Sequence, residues 1–211
     1  MNDHTSFTTL LAGNRAIPVV TFRDVKDAVP VGQALLSGGV SVIEVTLRTA
    51  AGLDALRALA AECPDLILGA GTILHRTHAE AAIKAGARFL VSPGHTKALV
   101  DVAKEIGTPW MLGATSLSEV MSLREHGFLV QKFFPAEPMG GTATLMAIGS
   151  VLPDVKFCPT GGVSAEKATT YLGLPNVIAV GGSWFVPGSS LNLESVSAAA
   201  RHAAAHLNGP K

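Results

Sequence analysis

Charge is scarce in this chain, and neither sign prevails. Charged residues fill 15% of the 211 positions, with 16 Lys and Arg against 16 Asp and Glu, so the formal net charge is zero. Nucleic acids and acidic membranes call for a basic surface, so the balance argues against both partners and leaves small anionic ligands open. Cysteine is nearly absent. Cys63 and Cys158 stand outside any CxxC pair and make no disulfide framework, which fits a reducing compartment. No apolar run approaches the roughly 20 residues of a membrane span. Met1-Asn2-Asp3-His4-Thr5 has no basic stretch leading into an apolar core, so no secretory signal is expected and the protein is predicted to be cytoplasmic. No GxGxxG follows the first strand, and GxSxG is missing, which excludes the dinucleotide fingerprint and that serine-hydrolase signature. His202 and His206 are four apart but lack the glutamate of HExxH. No metal site is predicted there. His75 and His78 read as a solvated turn.

What the chain does have is apolar residues, at 48%, and a repeating pattern. A helical segment ends at glycine, a short apolar strand follows, and a turn leads to the next helix. Gly39, Gly86, Gly107 and Gly127 each precede such a strand, the last three about 20 residues apart. Glycine just past a helix supplies the left-handed residue at no steric cost. Thr77–Glu80 and Ser116–Glu119 fit the capping box, and Asp27 can cap a helix with Pro30 in its first turn. Leu53, Leu56 and Leu59 give one helix an apolar stripe. Eight strands are predicted: Ala16–Thr21, Val42–Leu47, Leu66–Gly69, Arg88–Val91, Pro109–Leu112, Leu129–Phe133, Val155–Cys158 and Val177–Val180. Short apolar strands separated by helices imply a parallel sheet covered on both faces. Eight such units fit a single (β/α)₈ TIM barrel domain over residues 1–211, with a doubly wound open sheet as the alternative. The Ala-rich tail after Leu191 reads as a last helix with a frayed end, Asn208-Gly209-Pro210-Lys211.

In a barrel, functional groups belong at the C-terminal ends of strands. The sixth strand ends Val130-Gln131-Lys132-Phe133-Phe134-Pro135. An ammonium within an apolar strand is costly unless it is paired or loses its proton. Deprotonated, Lys132 is a nucleophile toward a ketone or aldehyde carbon; the alternative is a lysine that snorkels to water. Glu44, Thr46 and Arg48 alternate along the second strand and share one face. They read as a polar pocket or as an ion pair on a solvated edge. Gly161-Gly162 follows the seventh strand and Gly181-Gly182-Ser183 the eighth. Adjacent glycines let backbone N–H groups approach an anion, and the loops after strands seven and eight are the common phosphate site of such barrels.

Six segments together resemble the 2-keto-3-deoxy-6-phosphogluconate (KDPG) aldolase family, the class I, Schiff-base aldolases. They are Glu44-Val45-Thr46-Leu47-Arg48-Thr49, Gly69-Ala70-Gly71-Thr72, Val91-Ser92-Pro93-Gly94, Lys132-Phe133-Phe134-Pro135-Ala136-Glu137, Phe157-Cys158-Pro159-Thr160-Gly161-Gly162 and Gly181-Gly182-Ser183-Trp184. The match runs in order from about Ile17 to Trp184; the first fifteen residues and the tail carry none of it. The resemblance implies a homotrimeric barrel without metal or cofactor. It implies cleavage of the phosphorylated keto-sugar acid 2-keto-3-deoxy-6-phosphogluconate to pyruvate and glyceraldehyde 3-phosphate, as in the Entner–Doudoroff pathway. By that match Lys132 is the Schiff-base lysine and Glu44 the general acid/base. Arg48 and Thr72 hold the pyruvate carboxylate, and Pro93, Phe134 and Thr160 line the site. Gly161, Gly162, Gly182 and Ser183 bind the phosphate. One departure is Leu112-Gly113 where the family often has Pro-Gly. Three enzyme alternatives are the galactonate epimer as substrate, unphosphorylated 4-hydroxy-2-oxoglutarate, and a phosphosugar isomerase or epimerase on the same barrel. A phosphosugar-binding sensor is the reading outside enzymes.

Overall fold

The computed structural model describes residues 4–186 and 191–208. The strands are β1 Ala16–Val20, β2 Val42–Thr46, β3 Ile67–Gly71, β4 Phe89–Val91, β5 Trp110–Ala114, β6 Val130–Phe133, β7 Lys156–Pro159 and β8 Val180–Gly182. The helices are α1 His4–Leu11, α2 Ala28–Ser37, α3 Gly52–Glu62, α4 Arg76–Lys84, α5 Lys97–Ile106, α6 Leu117–Glu125, α7 Gly141–Val151, α8 Ala165–Leu172 and α9 Leu193–His206. From β1 to β7 each strand pairs in parallel with the next, and β1 also pairs with β8. Single bridges from Phe157 to Val177 and from Thr160 to Gly181 join β7 to the β8 side. The ring closes, which rules out the open doubly wound sheet and its two free edges. The fold is a (β/α)₈ barrel. Every residue of β2, β3 and β5 is buried, because helices cover the outside and side chains fill the inside.

The local signals hold in part. Gly39, Gly86, Gly107 and Gly127 all adopt left-handed φ, between +71° and +104°. Ser116 and Glu119 form the expected capping box at α6. Three backbone or hydroxyl donors besides Ser116 N–H reach Glu119 Oε2, and the backbone of Ser116 leads in holding its carboxyl down at about 2. Thr77 makes no such box. α4 starts one residue earlier on His75, and the Thr77 hydroxyl meets His75 Nδ1 at 2.6 Å. Asp27 is the N-cap of α2 but makes no side-chain cap; Asp24 caps the 3-10 turn before it, accepting from Lys26 N–H at 3.1 Å. Leu56 and Leu59 are fully buried on α3, and Leu53 packs against the core beside them.

Other differences have physical causes. The first fifteen residues contain α1, whose Phe7 and Leu11 join the core. β8 starts at Val180 and takes in Gly181 and Gly182, beyond the predicted Val177–Val180. The carbonyls of Val177 and Ile178 accept from the Arg15 guanidinium, so that stretch is held by a side chain more than by a ladder. β3 likewise runs on through its glycines to Gly71. Asn208 is not frayed: its Oδ1 accepts from Arg15 N–H at 2.8 Å and Ala16 N–H at 3.2 Å, tying the tail to β1. Residues 209–211 of the predicted frayed end lie outside the described residues. His78 is half-buried beside His75, at 3.7 Å between ring centroids, which corrects the solvated turn. Among the described residues no helix is long and apolar enough to cross a membrane.

Candidate active site

In an eight-strand ring, β2 and β6 stand opposite each other, so long side chains from each meet at the centre. Glu44 on β2 is 2% exposed and Lys132 on β6 is 6% exposed. Lys132 Nζ lies 3.3 Å from Glu44 Oε1. A snorkelling lysine would lay its stem along the wall with its head in water; Lys132 crosses the interior instead. The Phe134 ring centroid is 5.3 Å from Nζ, within reach of a cation–π contact. The close approach depends on Gly71, because a Cβ there would overlap the Glu44 carboxylate.

Cys158 lies in register with Lys132 on the neighbouring strand. Burial pushes its thiol up to about 12, the Glu44 carboxylate adds to this, and Lys132 opposes it. At neutral pH it is a thiol and a poor nucleophile, which leaves Lys132 as the nucleophile of this cavity floor.

The Glu44–Thr46–Arg48 face is a pocket wall. Glu44 pairs with Lys132, while Arg48 Nη2 donates to Thr21 Oγ1 at 2.8 Å and its Nε to Thr46 Oγ1 at 3.3 Å. The two threonine hydroxyls bond each other at 2.7 Å. Two side chains thus orient the guanidinium, and Thr21 is one that the sequence reading missed. Thr72, just past β3, has φ +64°, a strained value for a β-branched residue. Its successor is held from β4: Ile73 N–H donates to Val91 O at 3.1 Å, and Ser92 Oγ donates to Ile73 O at 2.7 Å. Trp110 Nε1 donates in turn to Ser92 Oγ at 2.8 Å. This chain of bonds over-determines the Thr72 turn and places Pro93 beside it. On β5, Leu112 is fully buried and a Cβ on Gly113 would overlap the Pro93 carbonyl, so the glycine of Leu112-Gly113 seats that loop.

The glycine loops form the other side. Gly161 and Gly162 have φ +98° and +80°. The Thr160 hydroxyl is buried with no oxygen or nitrogen partner; the Cys158 thiol is its polar neighbour. All eleven residues predicted for the site line one cavity of about 370 Å³: Glu44, Arg48, Thr72, Pro93, Lys132, Phe134, Thr160, Gly161, Gly162, Gly182 and Ser183. Val19, Val163 and Gly181, which also line it, were not predicted; register with Glu44 is the signal that marks Val19 as inward-facing. His202 and His206 stack on α9 at 4.8 Å between centroids, and among the described residues no group of three or more His, Cys, Asp or Glu is placed to hold a metal ion.

Comparison with known proteins is consistent with this geometry. The family described as KDPG and KHG aldolase matches residues 8–201. The chain is 46% identical over 175 residues to the 2-dehydro-3-deoxy-phosphogluconate aldolase of Pseudoalteromonas atlantica, covering 83% of this chain and 81% of that one. It is 43% identical over 190 residues to the KHG/KDPG aldolase of Escherichia coli, covering 90% and 89%. A solved structure of KDPG aldolase from Legionella pneumophila, with pyruvate captured at low pH as a covalent carbinolamine, superposes with a TM-score of 0.88 at 40% identity. It covers 94% of this chain and 97% of that one. A match of this length and identity, on a barrel whose lysine and carboxylate meet at its centre, places the chain in the KDPG and KHG aldolase family.

Proposed function

We propose that the chain is a Schiff-base aldolase that cleaves 2-dehydro-3-deoxy-6-phosphogluconate to pyruvate and D-glyceraldehyde 3-phosphate, with Lys132 as nucleophile and Glu44 as general acid/base. One observation carries the assignment of roles: two buried charged side chains meet at 3.3 Å in a cavity. The homotrimer and the cytoplasmic setting implied by the resemblance belong to the same proposal.

The steps follow from the contacts. Lys132 passes its proton to the acceptor in reach, Glu44, and the free amine adds to the C2 ketone. Glu44 protonates the hydroxyl of the carbinolamine, water leaves, and a protonated imine forms. Glu44, again a carboxylate, takes the C4 hydroxyl proton directly or through a water. The C3–C4 bond breaks, its electron pair moves into the imine to give an enamine, and the aldehyde departs. Glu44 returns the proton to C3, and water hydrolyses the imine to pyruvate and free Lys132. Arg48 and Thr72 hold the substrate carboxylate. The glycine loops grip a phosphate that does not react, so that binding energy orients the C3–C4 bond.

Mass spectrometry after pyruvate and borohydride tests the assignment. The expected product is a stable adduct on the peptide containing Lys132, lost in Lys132→Ala together with turnover. An unmodified wild-type mass, or an adduct on another lysine, overturns it. The E. coli relative's name, KHG/KDPG aldolase, favours 4-hydroxy-2-oxoglutarate as a second substrate, since it presents the same keto-acid end to Lys132 and Arg48.

A further inference from the structure

Glu137 closes the segment that begins with Lys132, and none of the steps above uses it. It sits between β6 and α7 and is absent from the cavity lining. Its contacts all point at the neighbouring glycine loop. Ala136 N–H donates to Thr160 O at 2.8 Å, and Glu137 N–H donates to Gly161 O at 3.0 Å. The loop after the lysine strand thus adds two ladder bonds to the loop after β7. The carboxylate then ties both loops to α8: Oε1 accepts from the Tyr171 hydroxyl and Oε2 from the Lys167 ammonium. Tyr171 is 1% exposed, so this clamp has a rigid, buried anchor.

Two glycines make room for the clamp. A Cβ on Gly162, which has φ +80°, would lie 2.8 Å from Glu137 Cβ. A Cβ on Gly141, which has φ +55°, would lie 2.8 Å from the Tyr171 hydroxyl and 3.3 Å from Glu137 Oε1. The backbone has been cleared on two sides of one carboxylate. A bare carboxylate behind an anion site would repel the anion, but Lys167 and Tyr171 neutralise this one, and they hold it below the usual carboxylate range.

We propose that Glu137 is a positioning residue that sets the Gly161–Gly162 loop for a phosphate, and so decides preference for phosphorylated over unphosphorylated aldehydes. This rests on the phosphate reading of the glycine loops given above. The strut touches neither Lys132 Nζ nor Glu44, so it acts on one end of the substrate alone.

The test runs the reaction in the condensation direction, with pyruvate and either D-glyceraldehyde 3-phosphate or D-glyceraldehyde. Glu137→Ala is expected to raise KM for the phosphorylated aldehyde by about 10–100-fold, the scale of a small misplacement away from the reacting bond. Inhibition by inorganic phosphate weakens in parallel. KM for D-glyceraldehyde and deuterium exchange at pyruvate C3 stay within about twofold, because the lysine and its carboxylate are untouched. Glu137→Gln, which keeps the volume and one acceptor oxygen, and Tyr171→Phe, which removes one donor, shift KM the same way by less. These two carry the test if the alanine variant fails to fold. Equal losses for both aldehydes and for exchange would make Glu137 a general scaffold residue and overturn the proposal, as would no change in any readout. A wild-type enzyme with no preference between the aldehydes and no phosphate inhibition would sink the phosphate reading itself, and this proposal with it.

Discussion

At the floor of the cavity Lys132 and Glu44 reach from opposed strands and meet at 3.3 Å, both nearly sealed from solvent. At the rim the surface is mostly main chain: Gly161, Gly162 and Gly182, with Ser183 exposed beside them. The floor is made of side chains whose charges depend on each other. Removing either partner leaves a buried charge unpaired, a loss typically of about 3–5 kcal/mol. The rim is made of backbone shape, and its loops are braced from behind by Glu137. The two regions therefore divide the task. The floor supplies covalent and proton chemistry at one end of the substrate, and the rim holds the other end still.

If the division is right, substitutions at the floor and rim separate cleanly. Glu44→Gln is expected to lose about 10²–10⁴-fold in kcat while still trapping pyruvate slowly with borohydride, since general acid/base catalysis has that scale. Full activity would take the proton-transfer role away from the floor. The next effect is thermodynamic. A free thiol near 9.0 is pushed to about 12 at Cys158. Its stability contribution is complete below pH 9 and is lost as pH rises from there toward 12, because the unfolded chain releases the proton first. Three units amount to about 10³ in the folding equilibrium, roughly 4 kcal/mol. Urea titrations between pH 8 and 11 should show the wild type losing stability more steeply than Cys158→Ala; parallel slopes would mean the floor is wetter than its geometry implies.

At the rim, Gly162→Asp is expected to weaken phosphorylated substrate by about 100-fold. It adds a Cβ against Glu137, forces an unfavourable φ and places a negative charge near the anion. Pyruvate exchange should be nearly unchanged, and equal loss in both assays would merge the two regions. Thr21→Val is expected to be mildest. It removes one acceptor from the Arg48 guanidinium and should raise KM for pyruvate by about tenfold or less, with kcat held, since one charge-assisted hydrogen bond is worth about 1.5–3 kcal/mol when buried and less where exposed, as here. Thr21→Ser should restore the wild-type value; failure of that rescue would show that packing, not the hydroxyl, matters.

Much of this was legible along the chain because it is local. An apolar strand holding a lysine, a strand alternating Glu44, Thr46 and Arg48, and glycine pairs after the last two strands are each readable within ten residues. What escaped depends on partners far away in sequence. Val177–Ile178 looked like a strand because it is apolar, yet the Arg15 guanidinium takes its carbonyls. Gly181–Gly182 looked like a loop, yet it is strand, with Trp184 packed where a Gly182 side chain would stand. Thr77 fitted a cap whose site His75 already held. α1 carries no motif and is held through burial of Phe7 and Leu11.

The order of apolar strands, helix-ending glycines and polar strand ends is a property of the chain by itself, because period and backbone preference act between near neighbours. That order was enough for the barrel class and for the eleven residues at its mouth. The 3.3 Å approach of Lys132 to Glu44, the raised Cys158 thiol, the seating of Arg48 by Thr21 and the clamp around Glu137 belong to the closed ring alone. Only closure brings strands 88 residues apart face to face and removes the water between them, and both proximity and desolvation are needed before these groups act on one another.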